Sequence, residues 1–283
     1  MNILTFDIED WFNLLDVPET RNVADWDRFQ PRIHANVDRL LQSLERHGHR
    51  ATFFCLGWVA ERYPELIRRI DAAGYEIASH GYGHQLVYEQ SAAAFREDVA
   101  RSLDLLATIT GKRVISYRAP GFSITNATPW AFEVLLELGI ERDSSIFPAV
   151  RGHGGFADFG AARPLWIECA GGRLMEFPIS LGRWCGQPLV FSGGGYFRLL
   201  PYRTIRRLTQ RGDYLMTYFH PRDFDPDQPQ LDLPLARRFK SYVGLQGAHA
   251  KFERWLQEFP FIDLDAAVAQ VAWAEAPTIR LRP

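Results

Sequence analysis

The chain has 283 residues, of which 47% are apolar and 13% aromatic, enough to bury a core and too many for a disordered tail or a disulfide-stapled miniature. Lys plus Arg is 32 and Asp plus Glu is 34, a formal net charge of −2, which excludes a partner held mainly by phosphate neutralisation and so argues against nucleic acid. No run approaches the roughly 18 apolar residues of a membrane span, the acidic start (Asp7, Glu9, Asp10) is unlike a secretory signal, and Cys55, Cys169 and Cys185 are too few and too scattered for a disulfide framework, so a reduced, cytoplasmic protein is expected.

The first half alternates strand-like and helix-like segments. Residues 3–7 are a short apolar run. Val37, Leu40, Leu41 and Leu44 repeat at helical spacing and predict an amphipathic helix that stops at Gly48. Residues 51–56 are β-branched and aromatic, which predicts a buried strand, with Cys55 as packing. Pro64 opens a helix that ends at Gly74. Residues 75–79 predict a strand, Phe95, Val99, Leu103 and Leu106 a longer helix closed by Gly111, residues 114–117 a strand, and Phe132, Leu135 and Leu136 a further helix. This alternation predicts a parallel sheet covered by helices, and the length suits one α/β barrel-like domain over residues 1–283.

Residues 151–200 break the rhythm. His153-Gly154-Gly155, Gly171-Gly172 and Gly193-Gly194-Gly195 predict an irregular insertion or lid with short strands. A helix over 201–211, a strand over 214–219 and a Pro- and Asp-rich loop over 221–234 follow. Phe252, Trp255, Leu256 and Phe259 predict a last amphipathic helix, and a frayed tail is expected from Pro277.

In parallel α/β folds chemistry collects where strands end. Four strand ends here carry unusual polar residues. Asp7 and Glu9 stand at i and i+2 and share a face; Asp10 joins them only if the strand has ended. Three acids in four residues call for a cation or an arginine among them, unless they are a solvated strand end. His80-Gly81-Tyr82-Gly83-His84 sets two imidazoles four apart, a spacing that can converge on one metal if the turn is tight; two satisfied histidines are the plain alternative. Arg118, before Ala119-Pro120-Gly121, is aimed by a rigid turn and suits a carboxylate or a structural ion pair. His220, before Pro221, ends a late strand and could equally cap its loop. Asp143 matters only as a partner for an Arg or His.

Taken together and in this order, these residues resemble the polysaccharide deacetylase family, carbohydrate esterase family 4. The resemblance runs from Asn2 to about Asp223, and Ala51-Thr52-Phe53-Phe54 adds to it. Residues 193–202 and the His-Pro loop look like the subgroup found with exopolysaccharide or lipopolysaccharide assembly, which carries its own C-terminal extension, here residues 237–283. The resemblance implies a distorted (β/α) barrel of about seven parallel strands. It implies Asp7 as general base, His80 and His84 as ligands of a divalent metal, usually zinc, and a third acidic ligand: Glu9, with Asp10 the close second. It further implies Arg118 orienting Asp7, His220 as general acid tuned by Asp143, and the Gly121 N–H at the oxyanion.

The sequence departs from the commoner pattern in two places. Gly121 stands where a Tyr is usual, and the Asp-Trp part of the fourth motif is absent, with Ile146 and Phe147 nearby. The implied activity is removal of N-acetyl groups from sugars of a bacterial polysaccharide or its lipid- or nucleotide-linked precursor. Trp166, Trp184, Tyr196 and Phe197 are candidates to stack on sugar rings, or are loop aromatics. Two alternatives stay open: a cyclic imide or formamide hydrolase on the same fold, and a non-catalytic sugar-binding relative.

Overall fold

The computed structural model describes residues 1–15, 17–149, 154–159, 162–184 and 187–281. His153, Cys185 and the side chain of Trp184 lie outside the described residues. The chain forms two compact units, each assembled from two stretches. The first is Met1–Ala51 with Leu181–Asp263; the second is Thr52–Ser180 with Leu264–Pro283.

In the first unit, strands Asn2–Ile3 and Thr5–Ile8 run parallel to the segment around Leu215–Met216. Asn2 pairs with Leu215, Ile3 with Met216, and Phe6 bridges to Phe219. The period of two turns Phe6 and Ile8 to one side of the strand and Asp7 and Glu9 to the other. Phe6 packs on Phe219 and Phe252 at ring distances of 6.3 and 6.0 Å, and Phe197 packs on Phe219 and Trp255 at 5.0 and 5.1 Å. Helix Ile33–His47 buries Ile33, Val37, Leu40 and Leu44, and ends where Gly48 takes a left-handed φ of 67°. Helices Tyr202–Arg211 and Leu245–Glu258 also belong to this unit.

Seven strands of the second unit lie side by side in the order Thr278–Arg280, Leu165–Cys169, Gly172–Glu176, Arg142–Asp143, Ser116–Tyr117, Glu76–Ser79 and Thr52–Cys55. Every pairing is parallel except Leu165–Cys169 with Gly172–Glu176. Helices Pro64–Ala72, Ala92–Thr110 and Trp130–Glu137 stand where the periodicity puts them. Cys55 is buried in its strand.

The short strands expected in 151–200 are present, and two of them join the sheet: Ala170-Gly171 turns a tight hairpin whose second strand joins Arg142–Asp143. One expectation needs correction. The tail is not frayed at 278–280, because these residues pair with Trp166, Ile167 and Glu168. The apolar alternation of Leu165, Ile167 and Leu174, all fully buried, is the signal that the glycines obscured. No helix among the described residues is long and apolar enough to cross a membrane.

Candidate active site

In the first unit the parallel pairing sets residue 7 beside residue 220. The Asp7 N–H donates to the Phe219 carbonyl at 2.7 Å. Asp7 and Glu9 are buried, and an oxygen of each lies 3.8 Å from His220 Nε2. These three residues could each offer a ligand atom within 4.8 Å of the others. Sequence reasoning missed the next residue out. Asp223 accepts from the His220 backbone N–H at 2.9 Å and sits 3.1 Å from its Nδ1. A carboxylate only accepts, so Nδ1 carries hydrogen and Nε2 faces Asp7 and Glu9. Arg198, 3.3 Å from Asp223, holds the far side. Burial works against the charge on His220, but Glu9, Asp223 and Asp7 outweigh it and raise the pKa to about 9. Asp223 is itself raised by burial, yet Arg198 and His220 hold it down at about 2.

Asp10 goes elsewhere. Its carboxylate accepts from the N–H groups of Trp11, Arg32 and Ile33, at 2.7 to 3.2 Å. It caps the start of helix Ile33–His47, which explains a third acid in the motif without a metal. Burial lifts its pKa to about 6 against the pull of those amides.

In the second unit His80 follows strand Glu76–Ser79. Its Nδ1 lies 2.7 Å from the Arg118 carbonyl. A carbonyl only accepts, so Nδ1 is the donor and Nε2 is the acceptor nitrogen of the ring. The His84 ring stands 5.3 Å away, centroid to centroid. Asp98, from helix Ala92–Thr110, ties the loop between them: its two oxygens accept from the Tyr82 N–H at 2.7 Å and the Gly83 N–H at 2.9 Å. Burial raises the Asp98 pKa, opposed by these two amides. Gly81 is required here. Its φ is +73°, and a Cβ would come within 2.7 Å of Asp98 Oδ2. Asp98 lies outside any motif, and nothing in the local sequence marks it.

His84 and Phe122 are the non-glycine residues with positive φ among those described, at 53° and 54°. Such strain persists only where surroundings enforce it, and both flank site residues. Phe122 follows Gly121, itself at φ 62°, and its ring lies 5.5 Å from the Arg118 guanidinium. Arg118 is fully buried, 4.1 Å over the Phe54 ring, and donates from Nη2 to Ser144 Oγ at 3.0 Å.

Asp143 lies beside Tyr117 on one flank and Glu176 on the other. It accepts from the Ser145 N–H at 2.9 Å and hydroxyl at 2.7 Å, and it hydrogen-bonds Glu176. Burial raises both carboxyls, Glu176 the further because of Asp143 beside it. Two buried carboxyls in a hydrogen bond favour holding a proton between them. The residue placed against the His220 ring is therefore Asp223; Asp143 is taken up by Glu176 and Ser145. Asp223 had a local signal, the capping box it forms three residues after His220.

Trp166 is spoken for: its indole N–H donates to the Trp273 carbonyl at 3.0 Å, with Trp273 4.9 Å and Arg173 4.8 Å from its ring. Phe197 is core.

A family model described as "Polysaccharide deacetylase" matches residues 4–141, and one described as "Domain of unknown function (DUF3473)" matches residues 144–269. The peptidoglycan deacetylase of Helicobacter pylori is 31% identical over 110 residues, 39% of this chain and 36% of that protein. The chain thus spans about a third of that relative's length. The solved structure of a Mycobacterium smegmatis protein assigned as a polysaccharide deacetylase aligns with 99% of this chain and 93% of its own, with a TM-score of 0.67 at 24% identity. A Bacillus anthracis protein described as a carbohydrate esterase family 4 pseudoenzyme aligns with 94% of this chain and 64% of its own, at TM-score 0.51 and 12% identity. Both structural likenesses concern the fold. Residues 4–141 thus match the polysaccharide deacetylase family and residues 144–269 the DUF3473 region that follows.

Proposed function

We propose that the protein is a metal-dependent N-deacetylase acting on an N-acetylated sugar of a bacterial polysaccharide or its precursor. The observation that carries the metal is His80. Its Nδ1–H is committed to a carbonyl, the usual arrangement of a metal-binding imidazole. Two imidazoles with one carboxylate are an ordinary donor set for zinc in hydrolytic sites. His80 and His84 would hold the ion, with Glu9 as the third ligand. The ion would supply a Lewis acid for the acyl carbonyl and an acidified water.

The chain's own groups carry the protons. Asp7 takes the proton of the attacking water. His220, protonated at neutral pH by its three carboxylate neighbours, gives a proton to the departing sugar amine. Asp223 fixes which nitrogen does so, because Nδ1–H is bound to it. The Gly121 N–H would bear on the oxyanion. Arg118 is kept in place by Ser144 and by Phe54, and would orient the general base.

The test uses chitin oligosaccharides as probe, with acetate release and metal content as readouts. About one zinc per chain is expected in the intact protein. Loss of acetate release is expected in Asp7→Asn with the metal retained, and loss of both in His80→Ala. A metal-free protein that still binds the oligosaccharide would make it a sugar-binding relative instead. Release from N-formyl sugars or cyclic imides alone would change the bond assigned.

A further inference from the structure

Four of the five exposed large apolar residues among those described lie in one place. Leu235 and Phe239 are 85% and 57% exposed on helix Leu235–Tyr242, and Tyr196 and Leu199 are 48% and 52% exposed on helix Gly194–Leu199. The spacings i, i+4 and i, i+3 put each pair on one face of its helix. The two helices touch. Arg198 donates from Nη1 to the Ser241 carbonyl at 2.8 Å and from Nη2 to the Lys240 carbonyl at 3.1 Å. A Cβ on Gly195 would meet that Lys240 carbonyl at 3.0 Å. Such apolar exposure has a cost that an unpartnered surface does not recover.

The charge around it is one-sided. Residues 193–212 hold five Arg, residues 233–252 hold three Arg or Lys on or beside the helix plus Lys251, and neither stretch holds an Asp or Glu. The chain as a whole is slightly acidic, so this is local segregation. Some of these cations are committed: Arg198 to Asp223, Arg206 to Glu258, and Lys251 to the carbonyls of Phe197, Arg198 and Leu200. Arg203, Arg211, Arg238 and Lys240 are exposed, and Arg238 and Lys240 flank Phe239 on its helix.

We propose that this face docks on the surface of a bilayer carrying anionic lipid headgroups, with Leu235, Phe239, Leu199 and Tyr196 entering the headgroup layer and the surrounding Arg and Lys meeting its phosphates. Apolar anchors interleaved with exposed cations, as Leu235 and Phe239 are with Arg238 and Lys240, are the composition an interfacial helix needs. They are unlike a face for a second copy of this chain, which would set these cations against one another. Docking would hold the enzyme where lipid-carried glycans are.

The test is co-sedimentation of the full chain with vesicles. The expected result is binding to phosphatidylglycerol-containing vesicles, little binding to pure phosphatidylcholine, and release by salt. Arg238→Glu with Lys240→Glu should weaken binding roughly 30-fold or more, since each cation near an anionic surface contributes about a factor of five. Leu235→Ser with Phe239→Ser should weaken it on both vesicle types. Two outcomes overturn the proposal: no preference for the anionic vesicles, or a solution dimer that Phe239→Ser dissociates. Circular dichroism of each variant separates loss of docking from loss of fold.

Discussion

Asp98→Asn isolates what holds the two site histidines in place. The carboxylate accepts two backbone amides, from Tyr82 and Gly83, one on each oxygen. Asn keeps one acceptor and turns an NH2 toward the other amide. One buried N–H is left unpaired, which costs about 1–3 kcal/mol. That cost falls on the loop conformation that presents His84. If the ordered loop becomes a minor state, apparent metal affinity falls by its population. At about 1.4 kcal/mol per decade, the expected loss is roughly 10- to 100-fold in zinc affinity. The assay is competition with a chromophoric chelator on wild type and variant. Tyr82→Phe is the control: it removes only the outward bond to Glu61 and should leave affinity unchanged. Zinc affinity within twofold of wild type in a folded Asp98→Asn protein would refute the positioning argument.

Gly81→Ala should act through the same loop, because the added Cβ meets Asp98 at 2.7 Å in a left-handed backbone; reduced zinc content with a lower Tm is expected, read by metal analysis and calorimetry. The buried pair predicts a pH effect. The native Asp143–Glu176 pair keeps a proton that unfolded Glu176 releases above its ordinary value of 4.5. The unfolded state then binds fewer protons, so stability falls as pH rises from there until the native pair ionises. Glu176→Gln keeps a donor toward Asp143 and should flatten that slope in urea titrations at pH 4.5 to 8. For metal-free protein, His220 acts in the same direction from a higher start: its folded pKa is raised to about 9 from 6.5. Its stabilisation is full below pH 6.5 and lost as pH climbs through 9. His220→Gln should remove that alkaline loss, with its 26% exposure trimming the effect below about 3 kcal/mol.

Much of the site could be read from the chain because its parts are local patterns. Asp7 and Glu9 share a face by strand period, His80 and His84 by a glycine-permitted loop, and both follow strands where the alternation puts them. The rest depends on pairings no local pattern shows. Asp98 reaches its loop from a helix residue with no special spacing. Glu176 meets Asp143 only because a hairpin from the glycine-rich segment joins the sheet at that register. Asp10 reads like part of the acid motif, yet a helix starting 23 residues later claims its carboxylate. Asp143 was misread for the converse reason: a strand-end acid can serve whichever group the fold brings near, and here that is a second acid.

The first unit's pairing also sets a schedule for synthesis. Strand Thr5–Ile8 has its hydrogen-bond partners 212 residues later, while most of the second unit is a continuous stretch. On a ribosome adding about 5–20 residues per second, the two sides of this pairing are made roughly 10–40 s apart. The second unit's sheet can begin to form in that interval, and Asp7 and His220 are brought together only near the end of translation.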